Sequence, residues 1–340
     1  MRARLIDVGS TNIKSALYDL KTGELSEQTE VPFPPAAVAQ LPLYEVEVDE
    51  VESRVRSVMG NSQEALFLCT QMHGYVLMRE GKACTRYISW RDTRAELAQL
   101  PAALPACYGV KMKANLPRAS IDYMQKYRPN EIDGADTFCS LGSYLAYRLC
   151  GVNAAHITDL AASGFYNAKS GEADQYWLRL PKAHVRVEQL GIEKYTHCRV
   201  YTPCGDQQTA VLGSGMQETS WGLNIGTASQ MFCICEESAE GDFESRPYFG
   251  KKSLCTVSGL PGGRVIADCS DAEICGTLVQ SWKEALAKLP QKDSLTVMGG
   301  AVKYRRKLLE DCLRMMGVTG RFSCGNETII GLMRLAKEIL

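Results

Sequence analysis

The chain has 340 residues, of which 45% are hydrophobic and 23% charged, and its formal net charge is -1. At about 150 residues per domain this length favours two domains, each able to bury a core, and the composition excludes a disordered chain. A charge so close to neutral offers no global attraction for polyanions, which argues against nucleic acid or an anionic membrane surface as a partner.

The basic run KYRRK at 303–307 falls in a helical pattern and reads as a solvated helix face. The fourteen cysteines are scattered in apolar company, as in LFLCT and MFCIC, and read as reduced core residues rather than a disulfide scaffold or a zinc site. MRARLIDVG enters a strand-like run at once, and no stretch approaches about 18 uninterrupted apolar residues, so the expectation is a cytoplasmic protein without a membrane span.

In chain order, residues 2–8 predict a strand and 13–20 a second, joined by a polar Gly-Ser-Thr turn. Val48, Val51, Val55 and Val58 share one face of a predicted helix over 48–59, and ALFLCTQ at 65–71 predicts a buried strand. Residues 74–90 predict a hairpin turning at Gly81, and 93–190 read as mainly helical. LIDVGST recurs as LNIGTAS at 223–229, which suggests two related halves.

Four motifs carry chemistry. In IDVGSTNIK, Gly9 lets a ligand approach the backbone, Ser10 and Thr11 add hydroxyls, Lys14 adds a positive charge, and Asp7 can hold a hydrated metal ion. An ordinary hairpin turn has the same pattern. Gly226 and Thr227 repeat the logic in the second half. His73 in TQMHGYVLM follows the buried strand, where open α/β sheets place ligand sites, although a lone His is often structural. In SWRDTRA, Trp90 offers an apolar wall and Asp92 a hydroxyl acceptor, or else Trp90 is core and Asp92 caps a helix. Asp206 in PCGDQQTAVLGSG is a carboxylate suited to take a proton from a hydroxyl, or equally a helix cap.

The order of IDVGSTNIK, QMHG, W-x-D-x-R, TDLAASGFYN, CGDQQTAVLGSG, NIGTAS and MGGAVKYRRKLLEDC resembles the FGGY carbohydrate kinases almost end to end, and most closely their sedoheptulokinase and xylulokinase branch. The resemblance implies an α/β, actin-like ATPase (ribonuclease-H-like) fold with two domains flanking a cleft, a sugar-side domain over 1–200 and a shortened nucleotide-side domain over 201–340. It implies ATP and Mg²⁺ as cofactors, a ketose as phosphoryl acceptor, and Asp206 as general base. It assigns Gln71, Met72, His73, Trp90, Asp92 and Gln207 to the sugar. Asp7, Gly9, Ser10, Thr11, Lys14, Gly226, Thr227, Gly299, Gly300 and Lys303 go to the nucleotide, with Asp7 also holding the metal, through water if not directly.

The chain departs from the family in few helices between 263 and 297, in Ser143 where an acidic residue is common, and in Gln208 where a small residue is common. The expected partners are a small-molecule sugar and ATP, with no nucleic acid and no membrane; oligomeric state is open, a homodimer included. The rival reading is a catalytically reduced sugar- or nucleotide-binding homologue. An ATPase activating a radical enzyme ranks last, because the cysteines that would bridge an iron-sulfur cluster are missing from a helix start.

Overall fold

The computed structural model describes residues 1–226, 229–236, 239–262 and 271–340, with no side-chain placement for 271, 272 and 274. The chain forms two compact units, Met1–Thr209 with Leu332–Leu340, and Ala210–Gly331. The division lies beyond residue 200 because Cys204–Gly205 pairs with Ala65–Thr70 and holds this stretch in the first unit.

The first unit opens with three antiparallel strands, β1 (Arg2–Val8), β2 (Asn12–Asp19) and β3 (Glu24–Pro32). The third escapes sequence reading because ELSEQTEVP is almost wholly exposed and has no apolar alternation. Short strands β4 (Ala36–Val38) and β5 (Glu45–Val46) lead to helix α1 (Val48–Ser57), which buries Val48, Val51 and Val55 as their spacing predicts. The fully buried β6 (Ala65–Thr70) lies parallel to β1 on the side away from β2. The expected hairpin forms from β7 (Tyr75–Arg79) and β8 (Lys82–Ala83), with Gly81 at φ 76. Strand β9 (Tyr87–Ile88) joins β7 to β5.

The expectation of a mainly helical 93–190 is corrected. Helices α2 (Pro117–Tyr127), α3 (Leu141–Cys150) and α4 (Ile157–Leu160) alternate there with β10 (Thr137–Ser140), β11 (Ala154–His156), β12 (Lys182–His184) and β13 (Gln189–Ile192). β10 and β11 are three or four residues long and wholly buried, too short to display a period, and they are held by partners far along the chain. Finally β14 (Arg199–Tyr201) and β15 (Cys204–Gly205) run parallel to β6, and α5 (Asp206–Ser214) follows. The resulting main sheet has the order β13-β14-β6-β1-β2-β3.

The second unit repeats this scheme. Three antiparallel strands, β16 (Ser220–Ile225), β17 (Ser229–Cys235) and β19 (Ser253–Leu260), with β18 (Glu244–Pro247) at the edge, precede two parallel ones, β20 (Ser294–Met298) and β21 (Gly320–Phe322). β20 lies beside β16 as β6 lies beside β1, so LIDV at 5–8 and LNI at 223–225 end matching first strands. Leu278 and Trp282 of helix Asp271–Lys288 and Leu309 and Leu313 of helix Ala301–Met316 cover Leu223, Met231 and Leu295 of this sheet. Among the described residues no helix is long and apolar enough to cross a membrane.

Candidate active site

The parallel strands of the first unit set the geometry. Asp7 on β1 and Cys204 on β15 both stand in register with Cys69 on β6, and Asp206 comes two residues after Cys204. Two carboxylates therefore leave the carboxyl ends of strands that flank β6, where open α/β sheets bind ligands. Cys69 Sγ lies 3.6 Å from Asp7 Oδ1. Burial first, and then the charges of Asp7 and Asp206, push this thiol well up, so it stays neutral between them.

Asp206 is half-buried and is held from behind. The Gly205 amide donates to Thr158 Oγ1 at 3.1 Å, Thr209 Oγ1 donates to the Gly205 carbonyl at 2.8 Å, and the Gln207 amide donates to Asp206 Oδ1 at 2.7 Å. The last bond joins adjacent residues in the first turn of α5. A Cβ on Gly205 would lie 2.5 Å from Met72 Sδ, 2.8 Å from Gln208 Oε1 and 2.9 Å from the Thr158 carbonyl, which explains the glycine before the carboxylate.

Sequence reasoning missed the layer beneath. His156 Nδ1 lies 2.9 Å from Thr158 Oγ1 and 3.3 Å from the Thr158 amide. Because that amide must donate, Nδ1 is the acceptor and the hydroxyl donates to it, an assignment made from the hydrogen-bond pattern. Burial lowers His156 to about 4, so it is neutral at physiological pH. Next to Thr158, Asp159 is buried, accepts from Ser140 Oγ at 2.5 Å, and is pushed up to about 7 by desolvation. The motif TDLAASGFYN contains Thr158 and Asp159 but carries no recognisable chemistry by itself, and His156 and Ser140 lie outside it.

Of the sugar-side candidates, Gln71 Nε2 donates to the Gly9 carbonyl at 3.4 Å, tying the QMHG stretch to the first turn. Met72 packs on Gly205, and His73 adopts φ 62 as the chain turns. Gly74 is required because a Cβ there would lie 2.1 Å from the Tyr87 hydroxyl. Asp92, read from the sequence as a hydroxyl acceptor or as the cap of a helix start, accepts on Oδ1 from the Arg94 amide at 3.0 Å where a helical turn begins. It is 2% exposed, its oxygens accept from Arg94 Nε and Nη2, each at 2.8 Å, and Oδ2 also accepts from the Tyr44 amide at 2.8 Å. It is thus committed to holding Arg94, which also pairs with Glu45 at 2.6 Å. Trp90 is half-buried, with the Arg91 guanidinium 5.4 Å above its ring.

At the first turn, the Gly9 amide donates to the Asn12 carbonyl at 3.1 Å, Ser10 is half-buried, Thr11 is exposed, and Lys14 stands opposite Asp7 in the β1–β2 register. Asp7 is 7% exposed and offers hard oxygen donors beside this turn, which suits a hard divalent ion such as Mg²⁺. In the second unit Gly226 directly follows β16, and Thr227 lies outside the described residues. Gly299 has φ 98, and a Cβ on it would lie 2.4 Å from Asn224 Oδ1, so it packs directly on the end of β16. Gly300 opens the helix that carries Lys303, an exposed residue with Nζ 5.4 Å over the Tyr304 ring. The neighbouring Arg306 pairs with Glu310 at 3.0 Å, in keeping with a solvated face.

Two of the departures, Ser143 and Gln208, resolve locally, whereas the stretch 263–297 lies partly outside the described residues. Ser143 is wholly buried, and its amide donates to Ser140 Oγ at 3.1 Å to cap α3. Gln208 fills the space behind Gly205, and Glu327 opens the last helix and accepts from Ser323 Oγ.

No known family model matches the chain. It is similar to human sedoheptulokinase, 24% identical over 257 residues that cover 63% of this chain and 52% of that protein. The match thus spans about half the length of this curated relative. Among solved structures, the xylulose kinase from Lactobacillus acidophilus superposes with a TM-score of 0.85 at 15% identity, covering 99% of this chain and 89% of that one. The Plasmodium falciparum glycerol kinase with ADP gives 0.78 at 14% identity, covering 98% and 88%. The likeness to the solved kinases establishes the fold.

Proposed function

We propose that the chain is an ATP-dependent sugar kinase whose acceptor is a ketose of the sedoheptulose or xylulose type. The observation that carries this reading is the pair of carboxylates, Asp7 and Asp206, leaving parallel strands on either side of β6. A sugar hydroxyl is a poor nucleophile, and a fixed carboxylate that takes its proton as the phosphoryl group arrives lowers the barrier. Asp206 is that base, and the Gly205 anchors fix where its oxygens point. Asp7 would hold Mg²⁺, which when bound neutralises phosphate charge. The Gly9 turn presents amides and the Ser10 and Thr11 hydroxyls to phosphate, with Lys14 adding charge. Gln71, Met72, His73, Trp90 and Gln207 are the sugar-side residues of this reading, and Asp92 acts on the site only through Arg94. Gly226, Thr227, Gly299, Gly300 and Lys303 receive the nucleotide. The first unit is then the sugar side and the second the nucleotide side, in a cytoplasmic enzyme.

ADP release measured with a panel of ketoses tests the reading. Asp206→Asn is expected to lower turnover with the best ketose by at least about 100-fold. Turnover that survives this substitution removes Asp206 as base. Sugar binding without ATP binding in calorimetry would favour a catalytically reduced homologue instead.

A further inference from the structure

Three cysteines of the second unit converge. Cys233 and Cys235 alternate on β17, and Cys255 on β19 stands directly across from Cys233. The Cys235 and Cys255 sulfurs are 3.2 Å apart, those of Cys233 and Cys235 are 3.9 Å apart, and all three lie within 4.8 Å of one another. Sulfurs bound to one tetrahedral zinc, at about 2.3 Å each, are roughly 3.8 Å apart, so little movement separates this triangle from a ligand set.

Cysteine is also a common core filler, and Cys275 and Cys312, with sulfurs 3.4 Å apart, illustrate that use. The triad differs in three respects. It has a third donor. Cys233 and Cys255 are fully buried while Cys235 is half-buried at the strand end, which gives an ion a way in. A cation stands beside it, since Lys292 Nζ donates at 3.0 Å to the Ile234 carbonyl, between the two cysteines of β17.

We propose that Cys233, Cys235 and Cys255 bind one thiophilic divalent cation of the zinc class. Charge selects a divalent ion, because three thiolates are balanced by one such ion together with the Lys292 ammonium. Binding deprotonates the three thiols, whose protons pass to solvent, and no electrons move. The site lies on the second sheet and does not depend on the kinase reading.

The reduced full-length chain is titrated with Cd²⁺ while thiolate-to-cadmium absorption and proton release are followed. Saturation at one ion, with release of protons to solvent, is expected. Cys235→Ser and Cys235→Ala, at the half-buried position, should each weaken binding by about tenfold or more, whereas Cys275→Ser leaves it unchanged. Absence of saturation, unchanged binding in the Cys235 variants, an equal loss in Cys275→Ser, or a Cys235–Cys255 disulfide formed in place of uptake overturns the proposal.

Discussion

Thr158→Val isolates the anchoring of the proposed base. Valine has nearly the shape of threonine, so no cavity opens, but the buried Gly205 amide loses the oxygen that accepts from it at 3.1 Å. An unsatisfied buried donor costs about 1–3 kcal/mol, and His156 Nδ1 also loses the hydroxyl 2.9 Å away. Gly205 directly precedes Asp206, so a turn released from Thr158 displaces the carboxylate, and a displacement approaching 1 Å lowers turnover by roughly 100-fold. The assay combines urea unfolding with kcat and KM for the best ketose. Thr158→Val should lose about 1–3 kcal/mol and between about 10- and 100-fold in kcat, with sugar KM little changed. Thr158→Ser keeps the hydroxyl and should keep kcat within a few fold, although the missing methyl costs about 1 kcal/mol. Stability lost as expected while kcat stays at the parent level would refute the link between the Gly205 anchor and Asp206.

Other outcomes follow from the same contacts. His156, lowered to about 4 from 6.5, withdraws stability as pH falls through that window, because only the unfolded chain takes up the proton. Asp159, raised to about 7 from 3.8, does the reverse and withdraws stability as pH rises, so the two slopes cancel between pH 4 and 6.5. In His156→Gln, urea unfolding across that range should reveal the Asp159 slope, up to about 1.4 kcal/mol lost per pH unit on raising pH, and a flat profile contradicts the assignment. Asp92→Ala leaves Arg94 buried without its main partner and should cost about 3–5 kcal/mol, read by thermal or urea unfolding, with sugar KM unchanged in the folded fraction. Gly299→Ala places a methyl 2.4 Å from Asn224 Oδ1 and 2.6 Å from the Ile225 carbonyl at φ 98, and a loss of about 1–3 kcal/mol in unfolding is the expected result.

Much of this arrangement is legible in the sequence where local pattern and burial agree. β1, β6 and the valine stripe of α1 are visible because each presents a continuous or periodic apolar face to one core. β3 is invisible because an exposed edge strand has no such face. β10 and β11 are invisible because pairing with distant strands, rather than composition, makes them strands. At the site, Asp206 and the glycine turns could be picked out by type and order. The fate of Asp92 could not, since only the fold shows that Arg94 engages both its oxygens. Thr158 and His156 likewise become meaningful only when β15 brings Gly205 against them.

The repeated sheet scheme also gives the molecule an internal control. Asp7 and Asn224 occupy the same place on matching first strands, each two residues before a glycine, with nearly equal shape and different charge. Whatever this strand-and-turn shape alone confers should arise at both places, and whatever needs a negative charge should arise only at Asp7. Exchanging the pair, Asp7→Asn with Asn224→Asp, would therefore move a charge between two copies of one scaffold while leaving composition, size and topology untouched.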